Sequence, residues 1–181
     1  MITLTRLDPT GTDREALVQF IVKNQWPFHV LVRRTTDQVR ESIDQGAFRD
    51  DACDTYWVEH DELGRIGIIR FEDLDDPTPL FDLRLAEAFR GRGLGVEVLR
   101  AATDHVFAAM EHVHRFEGHT RADNLPMRMT FERAGWVQEA HYRQGWPTGD
   151  GRHLDGVAYA VLRSDWENCT RTPAHLGCLA P

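Results

Sequence analysis

The stretch Leu80-Phe-Asp-Leu-Arg-Leu-Ala-Glu-Ala-Phe-Arg-Gly-Arg-Gly-Leu-Gly95 decides the fold of this chain, together with the run Val96–Met110 behind it. Its first half has apolar residues interrupted by Asp82 and Arg84, which predicts a strand buried on at least one face. Glycines follow at positions 91, 93 and 95, and the apolar residues after them recur at helical spacing. The stretch therefore predicts a strand, a glycine loop and a helix whose first amides are free to bind an anion.

The spacing of the glycines narrows the choice of anion. A Walker loop needs a Lys after its last glycine, and none follows here; the dinucleotide fingerprint needs a glycine where this chain has Val96 or Val98. The pattern present is Arg-x-x-Gly-x-Gly, as Arg90-Gly-Arg-Gly-Leu-Gly95. It resembles the GNAT superfamily of acyl-CoA-dependent N-acetyltransferases, in which this loop holds the pyrophosphate of coenzyme A. A glycine-rich turn without a ligand is the alternative.

A second segment extends this resemblance along the chain. Asn124 follows an extended run, 114–121, and precedes a helical stretch that ends Phe131-Glu-Arg-Ala-Gly-Trp136; two long extended segments come next. This order resembles the Rim-type branch of the family, which contains the ribosomal-protein N-terminal acetyltransferases. The resemblance runs from about Thr3 to Trp166. It implies a single α/β (α+β) domain, a mixed and mostly antiparallel sheet with a splayed central parallel strand pair, and helices on both faces.

Before the glycine loop, the sequence predicts helices and a hairpin. Residues 13–23 have helical periodicity, and Thr36 is expected to cap a second helix. Two apolar runs around turn residues 61–65 predict the hairpin. Residues 1–166 are the predicted acyltransferase domain, and residues 167–181 are predicted to be a C-terminal tail, loose or strapped to the surface.

Length and composition exclude several classes of protein. The chain has 181 residues, enough for one domain, and a net charge of -8, which argues against a nucleic-acid partner because phosphate binding needs a basic face. No apolar run approaches the roughly 20 residues of a membrane span, so no membrane partner is expected. The first residues lack an export signal, which predicts a cytoplasmic protein. The acidic charge would favour a cationic acceptor, or would belong to an ordinary solvated surface.

No metal site is predicted. His112 and His114 lie close together, but no further His or Cys stands at a spacing that completes a tetrahedral set. The three cysteines, at positions 53, 169 and 178, include no Cys-x-x-Cys pair and suit a reducing compartment.

The resemblance implies acetyl-CoA as the acyl donor, bound as a co-substrate. It implies that backbone groups of Leu83 and Leu85 pair with the pantetheine arm. The loop residues expected to bind the coenzyme are Arg90, Gly91, Arg92, Gly93, Leu94 and Gly95. Asn124 either caps the helix that follows it or hydrogen-bonds the pantetheine amides.

Protonation of the leaving thiolate is a point where this chain departs from the family. Phe131, assigned to the coenzyme site, stands where many members have a Tyr that acts as general acid, and Met127 stands where the Rim-type branch often has a Ser. Either Tyr142 supplies the proton, or the thiolate leaves unassisted, since a thiol with a reference pKa of about 8.5 is acidic enough.

The acceptor site is implied at the joint between the first two helices. Trp26, Phe28 and His29 are the candidates for contact with the acceptor, and packing of these rings over the sheet is the alternative.

The general base is the least determined part of the site. Asp82 and Arg84 are two residues apart and share a face, and a carboxylate in a buried strand is costly unless it is paired or used. Either Asp82 pairs with Arg84 or with neighbouring strands, or it takes the ammonium proton directly or through a water. Glu72, at the end of the preceding strand, is the second candidate.

Two hypotheses of function follow. The first is an N-acyltransferase that moves an acetyl group, or a slightly larger acyl group, from acyl-CoA directly to a primary amine of a small molecule or a protein N-terminus. The second is a non-catalytic acyl-CoA-binding module with the same fold. The oligomeric state is left open, a homodimer included.

Overall fold

The computed structural model describes residues 1–174. The strands are β1 (Ile2–Arg6), β2 (Asp54–His60), β3 (Gly64–Glu72), β4 (Leu80–Leu85), β5 (Arg115–Arg121), β6 (Val137–Pro147) and β7 (His153–Leu162). The helices are α1 (Arg14–Lys23), α2 (Thr36–Asp44), α3 (Leu94–Ala109), α4 (Leu125–Arg133) and α5 (Arg163–Asn168), with a 3₁₀ turn at Glu87–Phe89. The strand, loop and helix predicted from the central stretch are therefore β4, residues 86–93 and α3.

The strands form two antiparallel sheets, in the orders β1-β2-β3-β4 and β5-β7-β6. Between the sheets, β4 and β5 run in the same direction. The amides of Arg115 and Glu117 donate to the carbonyls of Pro77 and Pro79, at 3.4 and 3.1 Å, just before β4 begins. No ladder continues this pairing along the two strands, so they separate. The predicted antiparallel architecture with a splayed parallel pair is confirmed, and the splay divides the sheet in two.

Side chains of β2 and β3 supply two cores on opposite faces of the first sheet, because neighbouring residues of a strand point to opposite faces. Val58 and Phe71 pack against α3 in the larger core. Trp57 and Ile68 pack against α1 and α2 in the smaller one. The helices on the smaller-core face therefore lie over the face of β4 that carries Asp82 and Arg84.

The start of α2 differs from the prediction by one residue. The N-cap is Thr35 and not Thr36. Thr35 Oγ1 accepts a hydrogen bond from the Gln38 amide at 3.3 Å, and the Gln38 side chain accepts one from the Thr35 amide at 2.9 Å. This capping box needs Gln three residues after the cap, and only Thr35 has that spacing.

The end of the described chain is held to the surface. Helix α5 continues to Asn168, past the boundary predicted after residue 166. The buried Asp165 accepts hydrogen bonds from the hydroxyls of Thr170 and Thr172, at 2.9 and 2.8 Å. Residues 175–181 of the predicted tail, Cys178 included, lie outside the described residues.

Neither a helix that could span a membrane nor a metal-binding cluster is present in residues 1–174. None of the helices in this part of the chain has both the length and the apolar character needed to cross a bilayer. The same residues contain no cluster of three or more His, Cys, Asp or Glu side chains that could hold a metal ion.

Candidate active site

The glycine loop leaves open space at the start of α3. Gly91 and Gly93 have φ angles of 70° and 83°, a region that glycine adopts without strain. A Cβ at either position would meet nothing within 4 Å. Gly93 is the N-cap of α3 and has no side chain to cap it. The Val96 amide donates to the Gly93 carbonyl at 3.1 Å, which leaves the amides of Leu94 and Gly95 without an acceptor in the helix. The loop therefore has the geometry of an anion site.

A cavity of about 500 Å³ extends from this loop along β4; we call it the loop cavity. The predicted coenzyme-binding residues that line it are Leu83, Leu85, Arg90, Gly91, Gly93, Leu94, Gly95 and Asn124. Arg92 is exposed, with its guanidinium 5.8 Å from the Phe89 ring centroid. Phe131 is buried and stacks on Tyr159 at 4.7 Å. Neither Arg92 nor Phe131 is among the residues that line the cavity.

Arg90 places a cation in the wall of the loop cavity. Its Nε donates to the Leu85 carbonyl at 2.8 Å, and its guanidinium lies 4.9 Å from the centroid of the Trp26 ring. Its Nη2 is buried and has no protein partner. Burial lowers the pKa of Arg90, as expected for a charged group removed from water. A cation with an unused donor, beside free helix amides, fits the phosphates of a nucleotide.

Asn124 caps α4, which is one of the two roles that the sequence predicted for it. Its Oδ1 accepts from the Met127 amide at 3.3 Å, and its Nδ2 donates to Thr120 Oγ1 at 2.8 Å. A side-chain amide has two N–H groups, so one donor is left after the bond to Thr120. The cap is formed, and the pantetheine contact stays a prediction.

A second cavity of about 500 Å³ lies on the α1 and α2 side of β4; we call it the arginine cavity. Its polar lining includes Arg34, Arg70, Arg84, Glu72 and Asp82. It shares six lining residues with the loop cavity, namely Phe28, His29, Leu83, Arg84, Asn124 and Met127. Because six residues border both spaces, the two cavities adjoin beside β4, and we call them together the cleft.

Asp82 is the centre of a charged network in the arginine cavity. Its Oδ2 accepts from Arg84 Nη2 at 2.8 Å, so the pair that the sequence offered as one alternative is formed. Its Oδ1 accepts from His29 Nε2 at 2.9 Å, and Arg70 Nη2 lies 3.9 Å from Oδ2. Burial alone would raise the pKa of Asp82, but Arg84, the hydrogen bond from His29 and the charge of Arg70 hold this pKa well below its usual range. Asp82 is therefore a weak proton acceptor.

His29 is the residue that Asp82 orients. The hydrogen bond from Nε2 leaves Nδ1 as the second ring nitrogen, and Nδ1 is buried without a protein partner. Buried polar atoms are nearly always hydrogen-bonded to protein or water. In the neutral ring Nδ1 is then a hydrogen-bond acceptor, so a water or another donor is expected at this nitrogen.

The other two predicted acceptor residues differ in their surroundings. Trp26 is only 2% exposed and belongs to the smaller core, and its Nε1 donates to the Ile21 carbonyl at 3.0 Å. Trp26 nevertheless lines the loop cavity, and Phe28 lines both cavities. Trp26 is therefore a core residue, as the alternative interpretation expected, and it also forms part of the wall of the cleft.

The structure brings Glu72 to the cleft and leaves Tyr142 outside it. Glu72 lines the arginine cavity, and its Oε1 accepts from Arg70 Nε at 3.0 Å. Tyr142 is 46% exposed, and its ring lies 5.9 Å from that of His119. Tyr142 is not among the residues that line either cavity.

Sequence reasoning missed Arg34, Arg70 and Trp146, all of which line the arginine cavity. They come from the loop before α2, from β3 and from β6. No motif joins residues so far apart in the chain. The one signal in the sequence was that Arg34 follows His29, the last of the predicted acceptor residues, by only a few positions.

Comparison with known proteins places this geometry in a family. Residues 2–137 match the family model described as Acetyltransferase (GNAT) domain. A Bacillus subtilis (strain 168) protein named "Putative ribosomal N-acetyltransferase YdaF" is 27% identical over 176 residues, which cover 92% of this chain and 93% of that protein.

Solved structures agree on the fold. A spermidine N-acetyltransferase of Vibrio cholerae in complex with CoA and spermine superposes with a TM-score of 0.73 at 20% identity, over 92% of this chain and 98% of that one. A dodecameric structure of spermidine N-acetyltransferase from the same organism gives a TM-score of 0.73 at 19% identity, over 94% and 98%. Identities this low show a shared fold, and they do not identify the acceptor of this chain.

Proposed function

The chain belongs to the GNAT acetyltransferase family, and we propose that it transfers an acetyl group from acetyl-CoA directly to a primary amine. As an acetyl-CoA-dependent N-acetyltransferase, it must bring a thioester and an amine into contact. The observation that carries the proposal is that the loop cavity and the arginine cavity adjoin and share six lining residues. Two reactants held at this junction gain a high effective concentration without a covalent enzyme intermediate.

In this proposal the loop cavity holds the coenzyme. The free amides at the start of α3 and the unused Nη2 of Arg90 bind the pyrophosphate. Backbone groups of Leu83 and Leu85, on the edge of β4 that faces away from β3, pair with the pantetheine arm. A backbone amide of the same edge donates to the thioester oxygen as negative charge develops there. Asn124 adds its remaining N–H donor.

The acceptor amine approaches from the arginine cavity. Acetyl-CoA supplies a thioester whose C–S bond breaks as the new C–N bond forms. His29 takes the ammonium proton at Nδ1, directly or through a water, and Asp82 holds the ring in place through Nε2. Asp82 thus acts through His29 and is not itself the base, because its pKa is held low. Glu72, bonded to Arg70, keeps that guanidinium in place.

The thiolate leaves without a protein acid. Phe131 has no proton to give, and Tyr142 lies outside the residues that line the cleft. The reference pKa of a thiol, about 8.5, makes its thiolate a tolerable leaving group near neutral pH. Tyr142→Phe is therefore expected to leave turnover within about twofold of the parent, and a loss of tenfold or more would reinstate Tyr142 as the acid.

The decisive experiment measures release of free coenzyme A thiol with acetyl-CoA and a panel of primary amines. The panel contains spermidine, an aminoglycoside, free amino acids and a short peptide with a free N-terminus. At least one amine should give turnover, and His29→Gln should then lower kcat by about 10²–10⁴-fold, the usual contribution of a general base. The loss should shrink at high pH, where the amine is already neutral.

Two results would contradict the proposal. Coenzyme binding without thiol release for any amine of the panel would favour the alternative, a non-catalytic acyl-CoA-binding module. A His29→Gln variant whose rate and pH profile overlay those of the parent would leave transfer in place and remove His29 from the reaction.

A further inference from the structure

The arginine cavity carries an excess of positive charge. Three guanidinium groups line it, those of Arg34, Arg70 and Arg84, against the two carboxylates of Glu72 and Asp82. Glu72 pairs with Arg70, and Asp82 pairs with Arg84. The chain as a whole has a net charge of -8, so this local excess is opposite in sign to the charge of the molecule.

Arg34 is the guanidinium left over. Its Nη2 donates to the Gln38 carbonyl at 2.8 Å and to the Ser42 hydroxyl, which fixes the side chain against α2. Its Nε is buried without a partner, and within residues 1–174 it forms no ion pair with a carboxylate. Burial, followed by repulsion from Arg84 and Arg70, lowers the pKa of Arg34. A negative charge in the cavity would offset both effects by favouring the charged form of Arg34.

Two more donors in the same cavity have no acceptor. Arg84 Nη1 and Trp146 Nε1 are both buried and unpartnered, and both residues line the arginine cavity. Guanidinium and indole groups donate hydrogen bonds and accept none. Arg34, Arg84 and Trp146 therefore all require acceptor atoms, and buried polar atoms left without a partner are rare in folded proteins.

We propose that the amine acetylated by this enzyme also carries a carboxylate, which is bound by Arg34, Arg84 and Trp146. This inference rests on the proposed function and names the class of its acceptor. A carboxylate has two oxygens with about four lone-pair sites, and it accepts from guanidinium groups in charge-assisted hydrogen bonds. A polyamine would bring only donors and further positive charge into a cavity that already has too many of both.

The test compares amines that differ only in the carboxylate. We would measure kcat/KM for α- and ω-amino acids such as glycine and 4-aminobutanoate, each beside its carboxamide, and for spermidine, with rates corrected for the neutral fraction of each amine. At least one amino acid should exceed its carboxamide by about tenfold or more, because a lost charge-assisted hydrogen bond corresponds to about one decade.

Three variants locate the effect. Arg34→Gln should raise KM for the preferred amino acid by about 10- to 100-fold, and it should lower kcat/KM for the carboxamide by a much smaller factor, so that the preference for the carboxylate is lost. Trp146→Phe keeps the ring and removes the N–H, and it should raise the same KM by about three- to tenfold. Arg33→Gln is the matched control, since Arg33 is exposed and is not among the residues that line the cavity; it should change neither value.

Three outcomes would contradict different parts of this inference. Turnover of spermidine or the carboxamides that equals or exceeds turnover of the amino acids overturns the carboxylate proposal and leaves acetyl transfer standing. A preference for the amino acid that survives both Arg34→Gln and Trp146→Phe overturns the assignment to these residues. No thiol release with any amine removes the proposed function, and this inference falls with it.

Discussion

The loop cavity and the arginine cavity are equal in size, about 500 Å³ each, and are built in opposite ways. In the loop cavity the anion-binding groups come from one continuous segment, in which glycines and the start of α3 offer backbone amides. The arginine cavity depends on charged side chains from the loop before α2, from β3, from β4 and from β6. Backbone amides can bind any molecule that carries the same phosphate group. The side chains of the arginine cavity, in contrast, can each be replaced by a single substitution.

Because of this difference, substitutions in the two cavities should affect different properties of the enzyme. A change in the loop cavity alters the shape of the backbone and should act on coenzyme affinity. A change in the arginine cavity breaks a network in which Asp82 bonds both His29 and Arg84, so it should act on turnover, acceptor choice and stability together.

Asp82→Asn should have the largest effect. It removes the negative charge between Arg84, Arg70 and His29, so kcat should fall by about 10²-fold or more and stability at pH 7 by about 2–3 kcal/mol. The pKa of Asp82 is lowered in the folded protein. Its contribution is therefore present above the unfolded-state pKa, about 3.9, and is lost as pH falls through the lower folded-state value. Denaturant unfolding and thiol-release kinetics measure both effects.

The control for that prediction is Asp150→Asn, which breaks an exposed pair with Arg152. It should leave kcat and the denaturation midpoint at pH 7 unchanged. Equal midpoints for Asp82→Asn and the parent at pH 7 would show that the Asp82 network contributes nothing to stability.

Gly93→Ala should have an intermediate effect, confined to the coenzyme. Alanine at a φ of 83° costs about 1–2 kcal/mol in backbone strain, and its Cβ enters the space above the loop, so the Kd for coenzyme A should rise by about tenfold. Gly64→Ala is the matched control, because Gly64 has a φ of 69° and equally open surroundings and lies in the β2–β3 hairpin. Calorimetry that finds the same Kd for the two variants would remove the loop from the coenzyme site.

Asn124→Asp should have the smallest effect. Aspartate is as good an N-cap as asparagine, and the Thr120 hydroxyl can turn from acceptor to donor, so Tm should stay within about 2 °C of the parent. The N–H donors are lost, and KM for acetyl-CoA should rise by about three- to tenfold. If KM and Tm both match those of the parent, Asn124 is a cap and nothing more.

The predicted elements of the fold depend on short-range signals in the sequence. The glycine loop, the periodicity of α3 and the turn residues of the β2–β3 hairpin are all short-range signals, and the structure contains each element where they placed it. Boundaries were less certain, since Thr35 rather than Thr36 caps α2 and α5 runs past residue 166. A boundary depends on one or two hydrogen bonds, which periodicity does not resolve.

The sequence by itself determined the strand, glycine loop and helix of the central stretch, because these depend on backbone conformation and on the spacing of neighbouring residues. The family and the antiparallel architecture with its splayed strand pair followed from the resemblance that these motifs carry. Only the tertiary structure decided that Asp82 bonds His29, a contact across 53 positions of the chain. Only it placed Arg34 and Trp146 in one cavity with unsatisfied donors. Such contacts depend on how distant elements pack, and no local pattern encodes them.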